Sequence, residues 1–219
     1  MKGMQTCYRT VLKTGSGEYE EKRSRFLAWA YPVSSEEEVQ NLLSDLKKKY
    51  WDARHHCYAY SIDSETTAQR FGDDGEPSGT AGLPILEAIR KRELTNVLVI
   101  VVRYFGGILL GASGLVRAYG KAAAAGLDDA GILLRKQCVK TALQIDYTLY
   151  GKVQNVLAAN GYAVSGTDFS EIVQISLLIE PENMDHFEKE MAEITAGQAK
   201  ITRYEKTFVN FDEKGNYLS

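Results

Sequence analysis

Residues 97–126 read VLVIVVRYFGGILLGASGLVRAYGKAAAAG, and this stretch determines most of the expected fold. Val97–Val102 is an unbroken apolar, mostly β-branched run, which predicts a strand buried on both faces. The glycine-punctuated segment Arg103–Gly111 predicts a turn after that strand. Ala112–Asp128 then predicts a helix with Ser113 as its cap, and the alanines near its end give it a smooth face that another element can approach closely.

The chain before this stretch predicts a hairpin, a helix and a strand. Tyr8–Thr14 and Glu18–Pro32 are extended segments on either side of Gly15-Ser16-Gly17, which is a hairpin signal. Ser34-Ser35, followed by three glutamates, predicts the start of a helix with a serine cap and acidic residues in its first turn. Cys57–Ile62 alternates weakly and predicts a strand.

Between that strand and residues 97–126 lies a loop followed by a helix. Gly72–Gly82 contains glycines and a proline that interrupt regular structure. Leu83–Leu94 predicts a helix, in which Pro84 is tolerated because it falls in the first turn.

The rest of the chain predicts a second folding pattern. Its elements follow the order β-α-β-β-α-β, the split βαβ of a ferredoxin-like domain. They are the segments Val139–Ile145, Gly151–Asn160, Tyr162–Ser165, Ile172–Ile179, Pro181–Ile194 and Lys200–Phe208. We therefore expect an α+β protein of two domains, residues 1–136 and 137–219.

Length and composition narrow the protein class. A chain of 219 residues with 44% apolar and 25% charged residues is typical of a globular protein with one large or two small domains. The N-terminal segment MKGMQTCYRTVLKTG contains no apolar core or cleavage site of a signal peptide. The longest apolar run, Val97–Val102, is far shorter than the ~20 residues of a membrane helix. The cysteines, Cys7, Cys57 and Cys138, are few and widely spaced, which favours the cytoplasm.

Charge is divided unevenly along the chain. Residues 1–137 carry 19 Lys and Arg against 17 Asp and Glu, whereas residues 138–219 carry 7 against 12. If part of the chain contacts nucleic acid, the first part is the better candidate. The acidic second domain suggests a protein partner instead.

Two loop-to-helix transitions are candidate anion sites. Gly79–Pro84 and Gly106–Gly114 combine small residues with the start of a helix, where open backbone N–H groups and the helix dipole favour a phosphate. Neither segment follows the pattern of a P-loop or of a dinucleotide fingerprint. The alternative interpretation is that these glycines solve turn and packing problems.

Nearby cations support the anion hypothesis. Arg117 and Lys121 are four residues apart and therefore project from one face of the predicted helix. Arg103 ends the buried strand directly before the glycines. The alternative is that these cations pair with the acidic loop residues Asp73, Asp74 and Glu76.

Other kinds of site are disfavoured. The acidic loop lacks the pattern of an EF-hand, and His55-His56-Cys57 lacks further zinc ligands, so we expect no metal and no cofactor. Ser78 and Ser113 lie outside any GxSxG motif, and no cysteine has a histidine partner in a recognisable motif. We therefore expect a protein that is not an enzyme.

Two long segments carry a family resemblance. Phe71–Leu86 (FGDDGEPSGTAGLPIL) and Val99–Ala125 (VIVVRYFGGILLGASGLVRAYGKAAAA) strongly resemble the signature of the IMPACT family, whose bacterial branch is the YigZ type. The signature comprises an apolar strand, Arg-Tyr-Phe-Gly-Gly, Leu-Gly and a small-residue helix. The resemblance extends over nearly the whole chain.

The resemblance implies a fold and a role. The first domain is expected to resemble the ribosomal protein S5 domain 2-like fold, and the second the last domain of elongation factor G. This pair recurs in translocation factors, which implies an RNA or ribosome partner. Eukaryotic members regulate translation initiation by competing for the activator of a stress-responsive kinase, and they carry an N-terminal RWD domain. Because this sequence begins directly with its first strand, we do not expect the kinase-pathway role here.

The leading hypothesis is a cytoplasmic, translation-linked regulator that binds RNA or a ribosomal surface through its first domain. The expected nucleic-acid or anion contacts are Arg54, His55, Arg103, Gly106, Gly107, Ser113, Arg117 and Lys121. The signature loop comprises Asp73, Asp74, Gly75, Glu76, Ser78, Gly79 and Gly82. Alternatives are an enzyme for a small phosphorylated or anionic substrate at the same site, and a protein-interaction adaptor that uses the second domain.

Overall fold

A computed structural model describes residues 6–63 and 68–218. The chain forms two compact units, Met1–Leu133 and Leu134–Ser219. The mixed α/β, two-domain fold class is therefore confirmed. No helix among the described residues is both long and apolar enough to cross a membrane.

The first unit is built on an antiparallel five-stranded sheet of order β2-β3-β6-β4-β5. Its elements are β1 (Cys7–Val11), β2 (Gly15–Glu21), β3 (Ser24–Pro32), α1 (Glu36–Lys49), β4 (His55–Ile62), β5 (Ala68–Gly72), α2 (Gly82–Arg90), β6 (Val97–Tyr104) and α3 (Gly111–Ala130).

Helices cover both faces of this sheet. Val97, Val99 and Val101 of β6 pack in the core formed with α2 and α3, whereas the alternate residues of the strand pack in the core formed with α1. Every residue from Val97 to Val102 is buried, which confirms the prediction of a strand buried on both faces. The strand is antiparallel to both neighbours, so its continuous apolar sequence reflects the helices on each face.

Helix α1 starts as predicted. The Ser35 side chain accepts a hydrogen bond from the Glu38 N–H at 3.2 Å, and Lys47, Lys48 and Lys49 lie in the last turn. Acidic residues at the start and basic residues at the end both favour the helix dipole.

The predicted hairpin turn is wrong. β2 and β3 meet at Lys22 and Arg23, which have φ angles of 47° and 64°. Gly15 and Gly17 instead lie in β2, where the backbone of α3 approaches closely. A Cβ atom on Gly17 would lie 2.6 Å from the Gly126 N atom.

The second unit is an antiparallel sheet of order β10-β7-β9-β8 with helices on one face. Its elements are β7 (Ile132–Ile145), which begins just before the unit boundary, α4 (Tyr147–Ala159), β8 (Ala163–Phe169), β9 (Val173–Ile179), a 3-10 turn (Pro181–Asn183), α5 (Met184–Ile194) and β10 (Lys200–Phe211). This order is that of the expected ferredoxin-like domain.

Candidate nucleic-acid interface

The loop between β5 and α2 is organised by Asp73. One carboxylate oxygen accepts a hydrogen bond from the Gly79 N–H at 2.8 Å, and the other accepts from the N–H groups of Ala81 at 3.1 Å and Gly82 at 2.8 Å. These are the open N–H groups that made the start of α2 a candidate anion site. Because an internal carboxylate already occupies them, the expected phosphate site at Gly79–Pro84 is corrected to an internal cap.

Asp74 ties the same loop to α1 and β4. Its carboxylate accepts hydrogen bonds from the His56 N–H at 2.7 Å and from the Lys47 ammonium at 3.1 Å, and its carbonyl accepts from His55 Nδ1 at 2.9 Å. Partial burial raises the pKa of Asp74, but the His56 and Lys47 donors outweigh this effect and the net pKa is lowered. The His55 side chain is thereby held against the loop.

Glu76, a residue of the same loop, has a buried side chain. Its carboxylate forms an ion pair with Arg103 Nη1 at 2.6 Å and accepts a hydrogen bond from the Tyr119 hydroxyl at 2.8 Å. The Glu76 and Arg103 side chains are 4% and 7% exposed. Arg103 was expected to contact phosphate at the surface. The structure instead places it in the core, because a buried carboxylate requires a partner.

A thiol and a phenol complete this buried cluster. Cys57 Sγ donates to the Asp73 carbonyl at 3.0 Å and lies 3.4 Å from the Tyr119 hydroxyl. Burial raises the pKa of Cys57 to about 12 and also raises the pKa of Tyr119. Both groups are therefore protonated at neutral pH, so the cluster offers neither a thiolate nor a phenolate nucleophile.

The loop after β6 uses its glycines for close approach and for turns. A Cβ atom on Gly106 would overlap the backbone of Arg23 and Ser24, and the Gly106 N–H donates to Ser24 Oγ at 3.1 Å. Gly107 and Gly111 have φ angles of 83° and 72°, a region that side chains disfavour. The structural interpretation of these glycines therefore accounts for their positions.

Helix α3 begins at Gly111, and no side chain caps its start. Ser113 lies inside the helix and is exposed, so its predicted role as the cap is wrong. Arg117 and Lys121 are also exposed, as their spacing predicts. The Lys121 ammonium lies 3.1 Å from the Tyr19 hydroxyl and 4.8 Å from the centre of that ring.

Arg54 and Arg117 remain available for a ligand. Both side chains are exposed, and neither side chain forms a hydrogen bond or ion pair within residues 6–63 and 68–218. The β4 and α3 parts of the site are connected through the core, since His55 lies opposite Arg103 in the sheet and Arg103 is linked through Glu76 to α3. We use the name glycine-rich surface for the predicted contact residues other than the buried Arg103, which are Arg54, His55, Gly106, Gly107, Ser113, Arg117 and Lys121.

Exposed apolar side chains occur in the same segment of the chain as Arg117 and were not anticipated. They are Phe105, Ile108, Leu109 and Val116, with exposed fractions of 53%, 43%, 82% and 41%. Their exposure could have been predicted from the sequence, because Ile108 and Leu109 lie in the loop between two glycines and the helix. Apolar residues in such a loop lack the periodicity that would place them in a core.

Among residues 6–63 and 68–218, no three His, Cys, Asp or Glu side chains come together in an arrangement that could hold a metal ion. The acidic residues of the signature loop bond to the protein itself, as shown above for Asp73, Asp74 and Glu76.

Comparisons with known proteins match both units. A family model described as "Impact N-terminal domain" matches residues 22–127, and one described as "Domain of unknown function (DUF1949)" matches residues 143–198. IMPACT family member YvyE of Bacillus subtilis (strain 168) is 40% identical over 206 residues, which cover 94% of this chain and 95% of that protein. IMPACT family member YigZ of Escherichia coli (strain K12) is 28% identical over 187 residues, which cover 84% of this chain and 92% of that protein. A solved structure described as "Crystal structure of an hypothetical protein" covers 92% of this chain and 98% of its own, with 26% identity and a TM-score of 0.58.

Proposed function

The chain belongs to the IMPACT family, and from this membership we propose that it is a translation-linked regulatory protein that binds RNA or a ribosomal surface through the glycine-rich surface. The translation link rests on what the family resemblance implies, namely a pair of domains that recurs in translocation factors and eukaryotic members that regulate translation initiation. Family membership also agrees with a regulator rather than an enzyme.

The RNA-binding proposal rests on one observation: the carboxylates of the signature loop form hydrogen bonds and ion pairs with other residues of the first unit. Asp73 caps α2, Asp74 bonds to Lys47 and His56, and Glu76 pairs with Arg103. These carboxylates therefore do not neutralise the exposed cations Arg54, Arg117 and Lys121. An unneutralised set of exposed cations is suited to phosphate contacts, which position RNA without specifying its sequence.

The enzyme alternative gains no support from the buried cluster. Catalysis at neutral pH would require a titratable group near that pH beside the substrate. The Cys57 thiol has a pKa of about 12 instead and contacts the protein rather than an open surface. We therefore favour a binding protein over an enzyme.

Salt dependence tests this proposal. Binding of a fluorescein-labelled RNA of about 16 nucleotides and of purified ribosomes should weaken steeply between low and physiological salt, with a slope of about −0.7 per phosphate contact for a single strand. The double variant Arg117→Ala/Lys121→Ala should bind more weakly, and its salt slope should become shallower by about 0.7 for each phosphate that it no longer neutralises.

The matched control is Lys189→Ala/Lys214→Ala, which removes two cations from the second unit. Its binding should equal that of the wild type. A flat salt response, or wild-type binding by Arg117→Ala/Lys121→Ala, would refute the proposal.

A further inference from the structure

Trp51 is the most exposed large aromatic side chain described. It follows the C-cap residue of α1, and 82% of its surface is accessible to solvent. The other tryptophan, Trp29, is half-buried and packs on Tyr50 with ring centres 4.8 Å apart. A tryptophan ring combines a large apolar surface with an N–H donor, which suits an exposed indole to contact with a ligand.

The turn that carries Trp51 is held in place on both sides. The Tyr50 carbonyl accepts hydrogen bonds from the Ala53 N–H at 3.0 Å and from His56 Nε2 at 3.0 Å. Asp52 accepts a hydrogen bond from the Tyr104 hydroxyl at 2.8 Å. The residues flanking Trp51 are therefore fixed to the sheet while the indole projects from them. A ligand that stacks on the indole would meet a preorganised surface.

A groove of about 680 Å³ lies beside the indole. This volume is within the range of about 300–1,000 Å³ for small-ligand sites. Trp51 and Tyr58 contribute to its lining, and its other lining residues belong to α1. The groove is lined by Gln40, Leu43, Ser44, Lys47, Lys48, Trp51 and Tyr58.

The chain around the indole is basic. Residues 47–54 contain four cations and one carboxylate. Lys48 pairs with Asp45 at 3.5 Å, but these side chains are 76% and 75% exposed. Such an exposed pair contributes little, so a phosphate can take the place of the carboxylate.

The combination of lysines with an exposed aromatic ring favours nucleic acid over protein. Lysine is depleted from protein–protein interfaces, whereas lysine- and arginine-lined grooves with aromatic rings bind single strands by stacking on bases. The polar groups of Gln40 and Ser44 add hydrogen-bonding capacity at the groove.

We propose that Trp51 is a base-stacking platform for single-stranded RNA, with Lys48 and Arg54 contacting the adjacent phosphates. This inference rests on the proposed function in taking RNA as the ligand, and it adds a second contact that selects unpaired nucleotides. The glycine-rich surface contacts phosphates, whereas Trp51 contacts a base.

Tryptophan fluorescence tests the platform directly. In a Trp29→Phe background the emission comes from Trp51 alone. Octauridylate should quench this emission and shift it, whereas an abasic ribose-phosphate octamer of the same charge should produce neither effect. Octaglutamate should also leave the emission unchanged. Quenching by octaglutamate and not by octauridylate would identify a protein-binding surface and overturn the proposal.

Affinity measurements in the otherwise native chain provide a second readout that does not depend on Trp29→Phe folding. Trp51→Ala should weaken octauridylate binding between about 5-fold and about 150-fold, and Trp51→Phe should restore most of it. Tyr204→Ala is the matched control, since Tyr204 is an exposed aromatic residue of the second unit. Equal octauridylate affinity in Trp51→Ala and the wild type would overturn the proposal.

The two proposals fail in distinguishable ways. If Trp51→Ala binds normally while Arg117→Ala/Lys121→Ala does not, the platform is wrong and the proposed function stands. If octauridylate quenches Trp51 equally well in Arg117→Ala/Lys121→Ala, the platform is supported and the proposed phosphate contacts of Arg117 and Lys121 are wrong.

Discussion

Arg103 Nη1 lies 2.6 Å from Glu76 Oε1 in an ion pair that is almost entirely buried. The guanidinium also lies near the rings of Phe26 and Phe105, with distances of 5.5 Å and 5.6 Å to the ring centres. Glu76 belongs to the signature loop and Arg103 to the end of β6. One ion pair therefore joins the two segments that carry the family resemblance, which are separate in sequence.

Removing Arg103 should destabilise the first unit strongly. Arg103→Ala leaves the buried Glu76 carboxylate without its cation, which costs about 3–5 kcal/mol for such pairs. Urea unfolding followed by circular dichroism measures the decrease in stability. The double variant Arg103→Ala/Glu76→Gln should recover part of it, because no unpaired charge remains.

The matched control for Arg103 is Arg117→Ala. Arg117 is exposed, so its removal should change the free energy of unfolding by no more than about 0.5 kcal/mol. Similar decreases for the two arginines would contradict the structural role given to the buried pair.

Asp74 should make stability depend on pH in the acidic range. Its pKa is lowered in the folded protein, so its contribution is complete above the unfolded pKa of about 3.9 and is lost as the pH falls through the folded value. Asp74→Asn should therefore be less stable than the wild type near neutral pH, and the difference should shrink below about pH 4. Denaturant unfolding at several pH values measures this. Glu171→Gln, which removes an exposed carboxylate of the second unit, should show no such convergence.

Two glycines should respond to alanine in opposite directions. Gly17→Ala places a Cβ atom 2.6 Å from the Gly126 N atom, and overpacking of this kind costs about 1–3 kcal/mol. Gly120→Ala meets no heavy atom within 4 Å and lies in α3, where alanine is favoured by about 1 kcal/mol. Thermal unfolding should place the wild type between the two variants. A neutral Gly17→Ala would contradict the close approach of β2 and α3.

The cysteines should differ sharply in reactivity. Burial raises the pKa of Cys57 to about 12 and that of Cys138 to about 11, whereas Cys7 is exposed. At mildly alkaline pH, a chromogenic disulfide reagent should modify one thiol per chain quickly and the other two only after unfolding. Mass spectrometry of the digested product identifies the modified residue. Fast modification of Cys57 would indicate that the loop above it opens readily.

Local sequence rules predicted most elements and failed where a distant segment sets the conformation. The start of α1 at Ser35 follows from capping chemistry within a few residues. The hairpin turn does not, since Lys22 and Arg23 carry no turn signature and the glycines nearby serve contacts with α3. Arg103 was likewise expected at the surface, because its sequence neighbours do not reveal the partner Glu76.

The sequence by itself determined the two-domain α+β organisation, the buried central strand and the family. These depend on hydrophobic periodicity, capping residues and long contiguous motifs, all of which are local properties. Only the tertiary structure decided which charges face solvent. The Asp73 carboxylate accepts hydrogen bonds from the start of α2, and the Glu76 carboxylate forms a buried ion pair with Arg103. The Arg54 and Arg117 side chains are exposed to solvent. The physical reason is that a buried charge or open helix end must find a partner, and folding brings that partner from elsewhere in the chain.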